Sequence, residues 1–529
     1  MPILSVLIFL PLVGAIFLAI AGRKMTGEGV RWTALFFAAA DALVALRCLM
    51  SFGQATGADG YQFSEVANWL PMLSIQYHLG MDGLSLLLVL LTAGLGMLSI
   101  AASFTAIRDR EVEFYVFILV LLSGVMGTFL ALDMFLFYIF WELMLIPLYF
   151  LIGIFGSANR IYATLKFVLF TLAGSVLMLI GILVLHYQVA AQAHVSTFDA
   201  VALAKLAPAL APKMQIWLFL SMFLAFAIKA PLFPFHTWLP DAHTEAPTAG
   251  SILLAGVLLK TGVYGMMRFC LPFFPEAARA MAPAICWLSV IAIVYGALTA
   301  MAQKDMKRLV AYSSVSHMGF VVLGIFALTR ESMQGASLQM INHGISTGGL
   351  FLAVGILYER RHTRLMSEYG GIYPIMRNFA FLTIIIVLSS AGLPGLNGFI
   401  GEFLILLGSW QAMFHGGPAH LYAIIAATGV ILGAVYLLIM VQRVFFGPVR
   451  NPENEQLLPL RGREAFLMLS LVIFAAWIGL YPKPFLKVLE PVSDQVRSAV
   501  LSGPQASAST GSIADIKPGE AEVVQVSMR

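Results

Sequence analysis

Six ionisable side chains lie inside long apolar segments of this 529-residue chain. They are two glutamates, two lysines and two histidines: Glu142, Lys229, Lys260, His317, His343 and Glu402. A charged side chain at the centre of a bilayer costs about 2.5–3.5 kcal/mol on insertion scales, so several in one chain require a function. Groups that bind and release protons at similar depth favour a proton relay.

The first two of these residues belong to a predicted charge pair. Lys229 ends an apolar run and precedes Pro231 and Pro234, in the stretch FAIKAPLFPFHTWLPDAHTEAPT. Prolines remove backbone donors and break helices, and a broken helix beside an ionisable group is typical of ion sites in transporters. Glu142, in FYIFWELMLIPLYF, is the expected counter-ion. The alternatives are a Lys229 side chain that reaches the membrane interface and a Glu142 that only fixes helix packing.

The next three residues extend the predicted relay. Lys260 lies in SILLAGVLLKTGVYG, with glycines on both sides and no acid nearby in the sequence. His317 and His343 each have serine or threonine neighbours, whose hydroxyl groups are suited to holding water. A lone buried histidine is more often a hydrogen-bonded core residue, so the relay interpretation rests on the lysines and histidines together.

Glu402 follows a second interruption, GLPGLNGFIGEF, where Pro394 and four glycines break the predicted twelfth span. The first interruption, after Lys229, lies five spans earlier. An offset of five spans reverses the direction through the membrane, so we expect two inverted repeats, over residues 112–271 and 282–447. Spans seven and twelve are then the discontinuous helices.

Other polar residues near the first break have weaker functional signals. Lys166 lies four residues into its span, where reaching the interface and taking part in function are equally consistent with the sequence. His236, Asp241, His243 and Glu245 are close in sequence, but their spacing matches no compact metal-ligand pattern. We therefore predict no metal site.

The elements that position these side chains are membrane-spanning helices. Sixty per cent of the residues are hydrophobic and only 11% are charged, against about 25% charged residues in soluble domains. Apolar runs of about 20 residues, the length that crosses the hydrocarbon layer, recur along the chain. The runs are continuous rather than alternating, which excludes a transmembrane β-barrel. The sequence thus predicts an all-α polytopic membrane protein of about fourteen helices.

The distribution of basic residues predicts the orientation. Lysines and arginines are more frequent in the loops after odd-numbered spans, such as Arg108, Arg361 and Arg364, and cytoplasmic loops retain basic residues. Both termini are therefore expected on the periplasmic side. The first span has no basic leader or small-residue cleavage site and is predicted to be retained. Residues 1–490 form the expected membrane domain, and 491–529 a polar, disordered tail.

Several classes of function lack their sequence signals. No loop is long enough for a nucleic-acid-binding domain, so nucleic acid is not an expected partner. Cys48, Cys270 and Cys286 are isolated and form no iron–sulfur or zinc motif. Neither a dinucleotide-binding nor an ATP-binding glycine motif is found. We therefore expect no cofactor in this chain and an energy source outside it.

Three stretches together identify a family: KAPLFPFHTWLPDAHTEAPT, FYIFWELMLIPLYFLIGIFG and MDGLSLLLVLLT. Over about residues 1–490 the chain resembles the antiporter-like membrane subunits of bacterial respiratory complex I, the proton-translocating NADH–quinone oxidoreductase. The resemblance implies a fourteen-helix fold with two inverted five-helix repeats. It also implies a hydrated midplane axis through the six residues named above, along which protons pass while quinone is reduced elsewhere.

The same resemblance implies partners, cofactors and location. The partners are the other complex I subunits, especially neighbouring antiporter-like ones, together with the lipid bilayer and protons. FMN, iron–sulfur clusters, NADH and quinone (ubiquinone) are used by the assembly and not held by this chain. The expected location is the bacterial inner (cytoplasmic) membrane. The alternatives are a subunit of a multisubunit cation/proton antiporter and an inert membrane spacer, although a spacer has no need of buried ionisable residues.

Overall fold

A computed structural model of the chain describes residues 2–53, 59–414 and 417–502. Within these ranges, 13 helices are long and apolar enough to cross a membrane. They are α1 Ile3–Ala21, α2 Gly27–Ser51, α3 Gly83–Ala106, α4 Glu111–Leu130, α5 Met134–Phe155, α6 Arg160–Ala193, α7 Pro212–Lys229, α9 Thr248–Phe273, α10 Pro275–Met301, α11 Met306–Phe326, α12 Arg330–Arg361, α15 His420–Phe445 and α16 Gly462–Leu480. The predicted class, an all-α polytopic membrane protein, is confirmed.

The remaining helices are shorter or lie outside the spans. They are α8 Trp238–Glu245, α13 Arg377–Ser390, α14 Asn397–Gln411, α17 Lys483–Ser502 and two short helices, Ala200–Leu206 and Ile372–Ile375. The pair α13 and α14 forms the predicted twelfth span in two pieces. The thirteen candidate spans and this pair together number fourteen within the described residues.

Burial divides the helices into a centre and a periphery. The apolar stretches of α9 and α12 are fully buried inside the chain, and the apolar stretch of α11 is nearly so. In four peripheral helices more than half of the apolar stretch is not buried: α1, α2, α6 and α15. A helix that is apolar all round is expected to be buried or in lipid. The central helices α9, α11 and α12 carry Lys260, His317 and His343, so the protein itself surrounds these groups.

Aspartates that cap helix N-termini fix where several spans begin. Asp82 accepts a hydrogen bond from the Ser85 backbone N–H at 2.9 Å, and Asp133 accepts one from Leu136 at 3.0 Å. Asp305 caps α11 through the Lys307 N–H at 2.7 Å. Side-chain caps of this kind satisfy backbone donors that the helix leaves free.

An antiparallel hairpin, β1 Gln62–Leu70 and β2 Ile75–Met81, precedes α3 and was not predicted from the sequence. Strand β1 lacks the alternation of apolar and polar residues that marks a half-buried strand. Val66 and Trp69 lie three residues apart on it, and both are apolar and exposed. Two further short strands, β3 Met413–Phe414 and β4 Gly417–Pro418, pair before α15.

The predicted boundary of a polar tail at residue 491 is wrong for residues 491–502, because α17 continues to Ser502. Leu489, Val492, Val496 and Val500 recur every three or four residues and are buried, so one stripe of this helix packs on the bundle. Asp494 on the polar side pairs with Arg330 at 3.1 Å. Residues 503–529 of the predicted tail lie outside the described residues.

Candidate functional site

The first helix break lies directly after Lys229, as the prolines predict. Helix α7 ends at Lys229 and α8 begins at Trp238. The Trp238 indole N–H donates to the Ile228 carbonyl at 2.9 Å, and the Leu232 N–H donates to the Ala227 carbonyl at 2.9 Å. The Ala227 and Ile228 carbonyls, which the break frees, are thus satisfied within the protein, as a non-helical segment at membrane depth requires.

The Lys229 ammonium is buried against aromatic rings. Its side chain is 2% exposed, and Nζ lies 5.1 Å from the centre of the Trp141 ring and 6.0 Å from that of Phe167. Aromatic faces attract cations at such distances. Lys229 therefore stays inside the protein, and the alternative in which its side chain extends to the interface does not hold.

The direct Glu142–Lys229 ion pair expected from the sequence is not formed in the structure. Within the described ranges, no carboxylate lies within 4.0 Å of Lys229 Nζ, and the buried Glu142 Oε1 has no hydrogen-bond partner. Trp141, whose ring lies beneath the Lys229 ammonium, is the residue before Glu142 in the chain. The aromatic contacts of Trp141 hold the ammonium instead, so the two charged residues are neighbours without direct contact.

Lys260 occupies a distorted part of α9. Two π-helical turns, Leu254–Leu258 and Met266–Cys270, flank it, and π-helical turns inside α-helices are frequent at functional sites. The fully buried Lys260 ammonium donates to the Ala255 carbonyl and lies 2.7 Å from His343 Nδ1. A Cβ atom on Gly262 would lie 2.6 Å from the Phe226 carbonyl oxygen. This glycine therefore allows the end of α7 to approach α9.

Two histidines connect Lys260 to Glu402. The His343 and His317 ring centres are 5.7 Å apart, and His317 Nδ1 lies 2.8 Å from Glu402 Oε1. In the described part of the chain, the Nε2 atoms of both rings are buried without a hydrogen-bond partner. Lys260, His343, His317 and Glu402 thus form one buried series, brought together from α9, α12, α11 and α14.

A small cavity lies beside this series, where α12 faces the second helix break. His317, His343, Ser346, Thr347 and Ser389 contribute to its lining. Unpaired polar atoms at such a cavity favour water, because a buried polar group without a partner is costly. The site can therefore bridge the gap between the two imidazole rings through water.

The second break, residues 391–396, is held by amide and hydroxyl side chains that the sequence analysis missed. Asn397 at the start of α14 accepts a hydrogen bond from Ser389 and donates to the Asn342 carbonyl at 3.2 Å. Gln339 donates to Glu402 Oε1 at 3.1 Å. The polar residues of α12 recur every three or four positions, and that spacing was the available signal of one polar face.

The remaining polar residues of the first break have separate partners. Lys166 pairs with Asp241 at 2.7 Å, so it anchors α8 to α6. Glu245 accepts the Asn159 N–H at 3.0 Å, and the His243 ring stacks on that of Phe351. The residues considered as metal ligands therefore contact different neighbours.

A second buried charged group, also missed, lies at the opposite end of α9. Arg268 pairs with Asp82 at 2.5 Å and donates to the hydroxyls of Tyr61 and Tyr264 at 2.9 and 3.1 Å. Burial raises the pKa of Tyr61 to about 12, so the Tyr61 phenol stays neutral at physiological pH. All of these groups are paired, which indicates a structural anchor for α3 and the hairpin.

Comparison with known proteins identifies the class of this site. A family model described as "NADH:quinone oxidoreductase/Mrp antiporter, TM" matches residues 131–416, more than half of the chain, and that range contains all six predicted site residues. The chain belongs to this family of membrane subunits.

Relatives that share one subunit name match most of the chain. It is 46% identical over 426 residues to NADH-quinone oxidoreductase subunit M of Pseudomonas aeruginosa, covering 79% of this chain and 82% of the relative. It is 41% identical over 490 residues to subunit M of Escherichia coli K12, covering 91% and 94%. A chain in a solved structure of respiratory complex I from Thermus thermophilus with bound NADH superposes with a TM-score of 0.84 at 32% identity, covering 94% of this chain and all of that one. The predicted family is confirmed.

Proposed function

We propose that this chain is the subunit-M-type membrane component of a proton-translocating NADH–quinone oxidoreductase, and that it carries protons along its buried polar series. The observation that carries this proposal is the run of contacts from Lys260 through His343 and His317 to Glu402. These four residues come from separate helices. Burying ionisable groups costs free energy, so four of them in contact with one another indicate a function.

The contacts support the following proposed sequence of proton transfers. Protonated Lys260 gives a proton to His343 Nδ1, and His343 releases its Nε2 proton to water in the cavity. That water gives a proton to His317 Nε2, and the Nδ1 proton of His317 moves to the Glu402 carboxylate. Each imidazole accepts at one nitrogen and releases from the other, as a neutral imidazole allows. One proton is thus moved from Lys260 to Glu402.

Glu142 and Lys229 act upstream of this series in the proposal. A nearby opposite charge favours the protonated amine, so closing the Glu142–Lys229 pair would hold a proton on Lys229. Opening the pair would favour transfer from Lys229 toward Lys260. The structure has the pair open, with the ammonium on the Trp141 ring. A change in the electric field or in the conformation of partner subunits would switch the Glu142–Lys229 pair between its closed and open arrangements.

The wider assignments follow from the same proposal. The chain is a multi-pass membrane protein, and we place it in the bacterial inner membrane, with both termini periplasmic, because of the basic loops. FMN, iron–sulfur clusters, NADH and quinone would be bound by partner subunits. The inverted repeats over residues 112–271 and 282–447 also belong here, supported by one broken helix with a buried ionisable residue in each.

A second candidate function is that of a cation/proton antiporter subunit, because the description of the family model includes the Mrp antiporter. In that case the same buried series would exchange protons for another cation. The two assignments differ in their partners: an oxidoreductase subunit co-purifies with flavin and iron–sulfur proteins and supports NADH-driven quinone reduction.

The test uses the assembled complex, purified through a tag on this chain and reconstituted into vesicles. NADH-driven quinone reduction and proton pumping are expected in the wild type. Lys260→Leu should stop pumping, whereas Lys304→Leu, at an exposed loop lysine, should not. A complex without quinone reductase activity that exchanges cations for protons would favour the antiporter. Normal pumping by a fully assembled Lys260→Leu variant would contradict the proposed path.

A further inference from the structure

The C-terminal end of α8 is buried, and other parts of the chain hold its last carbonyl groups. A helix end leaves up to four carbonyls without a helical partner. In α8 the Glu245 carbonyl accepts a hydrogen bond from the Ser157 backbone N–H at 3.0 Å. The carbonyls on either side of it, those of Thr244 and Ala246, are instead held by basic side chains.

Arg364 holds the Thr244 carbonyl. It lies in the loop after α12, and its guanidinium donates to that carbonyl at 2.5 Å. Its Nε pairs with Asp305 at 3.1 Å, and the guanidinium carbon lies 5.7 Å from the centre of the Tyr358 ring. A guanidinium is planar and carries five donors in a fixed fork, so Arg364 joins α8, α11 and α12 in one defined geometry.

Lys307 holds the Ala246 carbonyl. It lies in the first turn of α11, its side chain is 7% exposed, and its Nζ donates to that carbonyl. Within the described ranges, no carboxylate lies within 4.0 Å of Nζ. A buried basic group without an acid partner costs free energy, and the path from Lys260 to Glu402 does not use this one. The contact with α8 therefore requires a separate explanation.

Asp305 joins these two basic residues into one unit. Its Oδ1 accepts the Lys307 backbone N–H at 2.7 Å, while its Oδ2 pairs with Arg364. The Met306 N–H donates to the Arg364 carbonyl at 3.0 Å, which fixes the loop to the start of α11. We name Asp305, Lys307 and Arg364 the α8 clamp. All three belong to the second proposed repeat, residues 282–447, whereas α8 belongs to the first.

The opposite end of α8 is attached to the first break. The indole of Trp238, the first residue of α8, donates to the carbonyl of Ile228, the residue before Lys229. Eight residues at 1.5 Å each make α8 about 12 Å long. A further contact with α11, between Arg308 and Asp241, is long at 3.8 Å, and Arg308 is 44% exposed, so it contributes little. The polar connection of α8 to α11 is therefore mainly the clamp.

Helix α11 leads from the clamp to the buried series. Lys307 and His317 are ten residues apart on this helix, which corresponds to about 15 Å along its axis. His317 Nδ1 lies 2.8 Å from Glu402 Oε1. The clamp thus connects the helix that follows Lys229 to the helix that carries a histidine of the series.

We propose that Lys307 and Arg364 are positioning residues of the proton path, which hold the end of α8 to α11 so that a rearrangement of the Glu142–Lys229 pair shifts His317. With the clamp intact, α8 and α11 move together, and opening the pair changes the His317–Glu402 contact. Without the clamp, α8 moves alone. The inference rests on the proposed function and adds the connection between its first break and its buried series.

The first test measures whether α11 responds to the first break. Hydrogen–deuterium exchange of residues 303–310 is followed by mass spectrometry in the assembled complex, with Glu142 and with Glu142→Gln. With the clamp intact, Glu142→Gln should change the exchange of this segment. In a Lys307→Met background the same comparison should show no change, because methionine has an unbranched side chain that donates no hydrogen bond.

Lys304→Met makes the same chemical change at an exposed lysine three residues earlier and should leave the response to Glu142→Gln as in the wild type. A purely structural role of Lys307 does not predict any dependence on Glu142. A response that is absent with the clamp intact, or equal with and without Lys307, overturns the inference.

The second test measures NADH-driven pumping at equal amounts of assembled complex. Lys307→Met and Arg364→Gln should each lose most of the pumping, whereas Arg364→Lys, which keeps the charge but not the forked donors, should keep part of it. Lys304→Met should match the wild type. If the Arg364→Gln complex does not assemble, Lys307→Met and Arg364→Lys decide the result.

The same assay separates failure of the clamp from failure of the proposed function. Wild-type pumping by Lys307→Met and Arg364→Lys, while Lys260→Leu does not pump, overturns the positioning role and leaves the proposed function standing. Normal pumping by Lys260→Leu removes the proposed function, and the inference with it.

Discussion

Replacing Glu402 by glutamine removes the proton acceptor at the end of the buried series while keeping its shape. The Glu402 carboxylate lies 2.8 Å from His317 Nδ1 and also accepts from Gln339 at 3.1 Å. A glutamine can present its amide oxygen to both donors, so the packing is preserved. What is lost is the negative charge that stabilises the imidazolium of His317 during transfer.

The size of the effect follows from that one contact. A hydrogen bond to a charged group contributes about 1.5–3 kcal/mol, and each 1.36 kcal/mol corresponds to tenfold in population. Because the glutamine keeps a neutral hydrogen bond worth about 0.5–1.5 kcal/mol, the loss is about 1–1.5 kcal/mol, and the imidazolium formed during transfer should be stabilised about 5–13-fold less in Glu402→Gln. Because the variant also lacks the acceptor, we expect pumping to fall by at least this factor.

The assay is NADH-driven acidification of vesicles that contain the assembled complex, with the amount of complex measured in parallel. Glu455→Gln makes the same chemical change at an exposed site and should leave pumping unaltered. Glu402→Lys retains a titratable group, so its rate should lie between those of the wild type and Glu402→Gln. Equal pumping by the wild type and Glu402→Gln would refute the reasoning and leave Glu402 as a packing residue.

Three further predictions concern the first break, the helix contact beside it and the last helix. Glu142→Gln should assemble but lose most pumping and coupled quinone reduction, because Lys229 then has no acid to pair with; unchanged coupling would exclude the pair. Gly262→Val should lower the amount of assembled complex, since its side chain meets the Phe226 backbone and overpacking costs about 1–3 kcal/mol; wild-type thermal stability of the complex would contradict this contact. Val496→Asp should release α17 and expose it to protease, whereas Ala499→Asp, at an exposed position of the same helix, should stay as resistant as the wild type; equal resistance of all three forms would argue against the packed stripe.

The sequence predicted the spans and the two breaks because both depend on local chemistry. Apolar runs of bilayer length define the helices, and the prolines and glycines after Lys229 and before Glu402 interrupt them. The helix α17 escaped detection because polar residues interrupt its apolar run, while the spacing of Leu489, Val492, Val496 and Val500 carries the helical signal.

The contacts within the site depend on tertiary packing and were only partly predictable. The sequence placed His317 and Glu402 at similar depth, but they are 85 residues apart, and only the packing of α11 against α14 brings them to 2.8 Å. The direct Glu142–Lys229 pair was expected from charge alone. The structure instead places the ammonium over Trp141, a choice of side-chain conformation that spacing in the sequence does not specify.

The central claim is that a proton passes through the two histidines between Lys260 and Glu402. Its most direct test is the rate of NADH-driven proton pumping, measured together with the number of protons pumped per NADH, in an assembled complex carrying His343→Phe, which keeps an aromatic ring and removes both nitrogens. The account predicts that proton pumping and coupled quinone reduction both fall far below wild type at equal amounts of complex. An unchanged number of protons per NADH, at a wild-type rate, would contradict it.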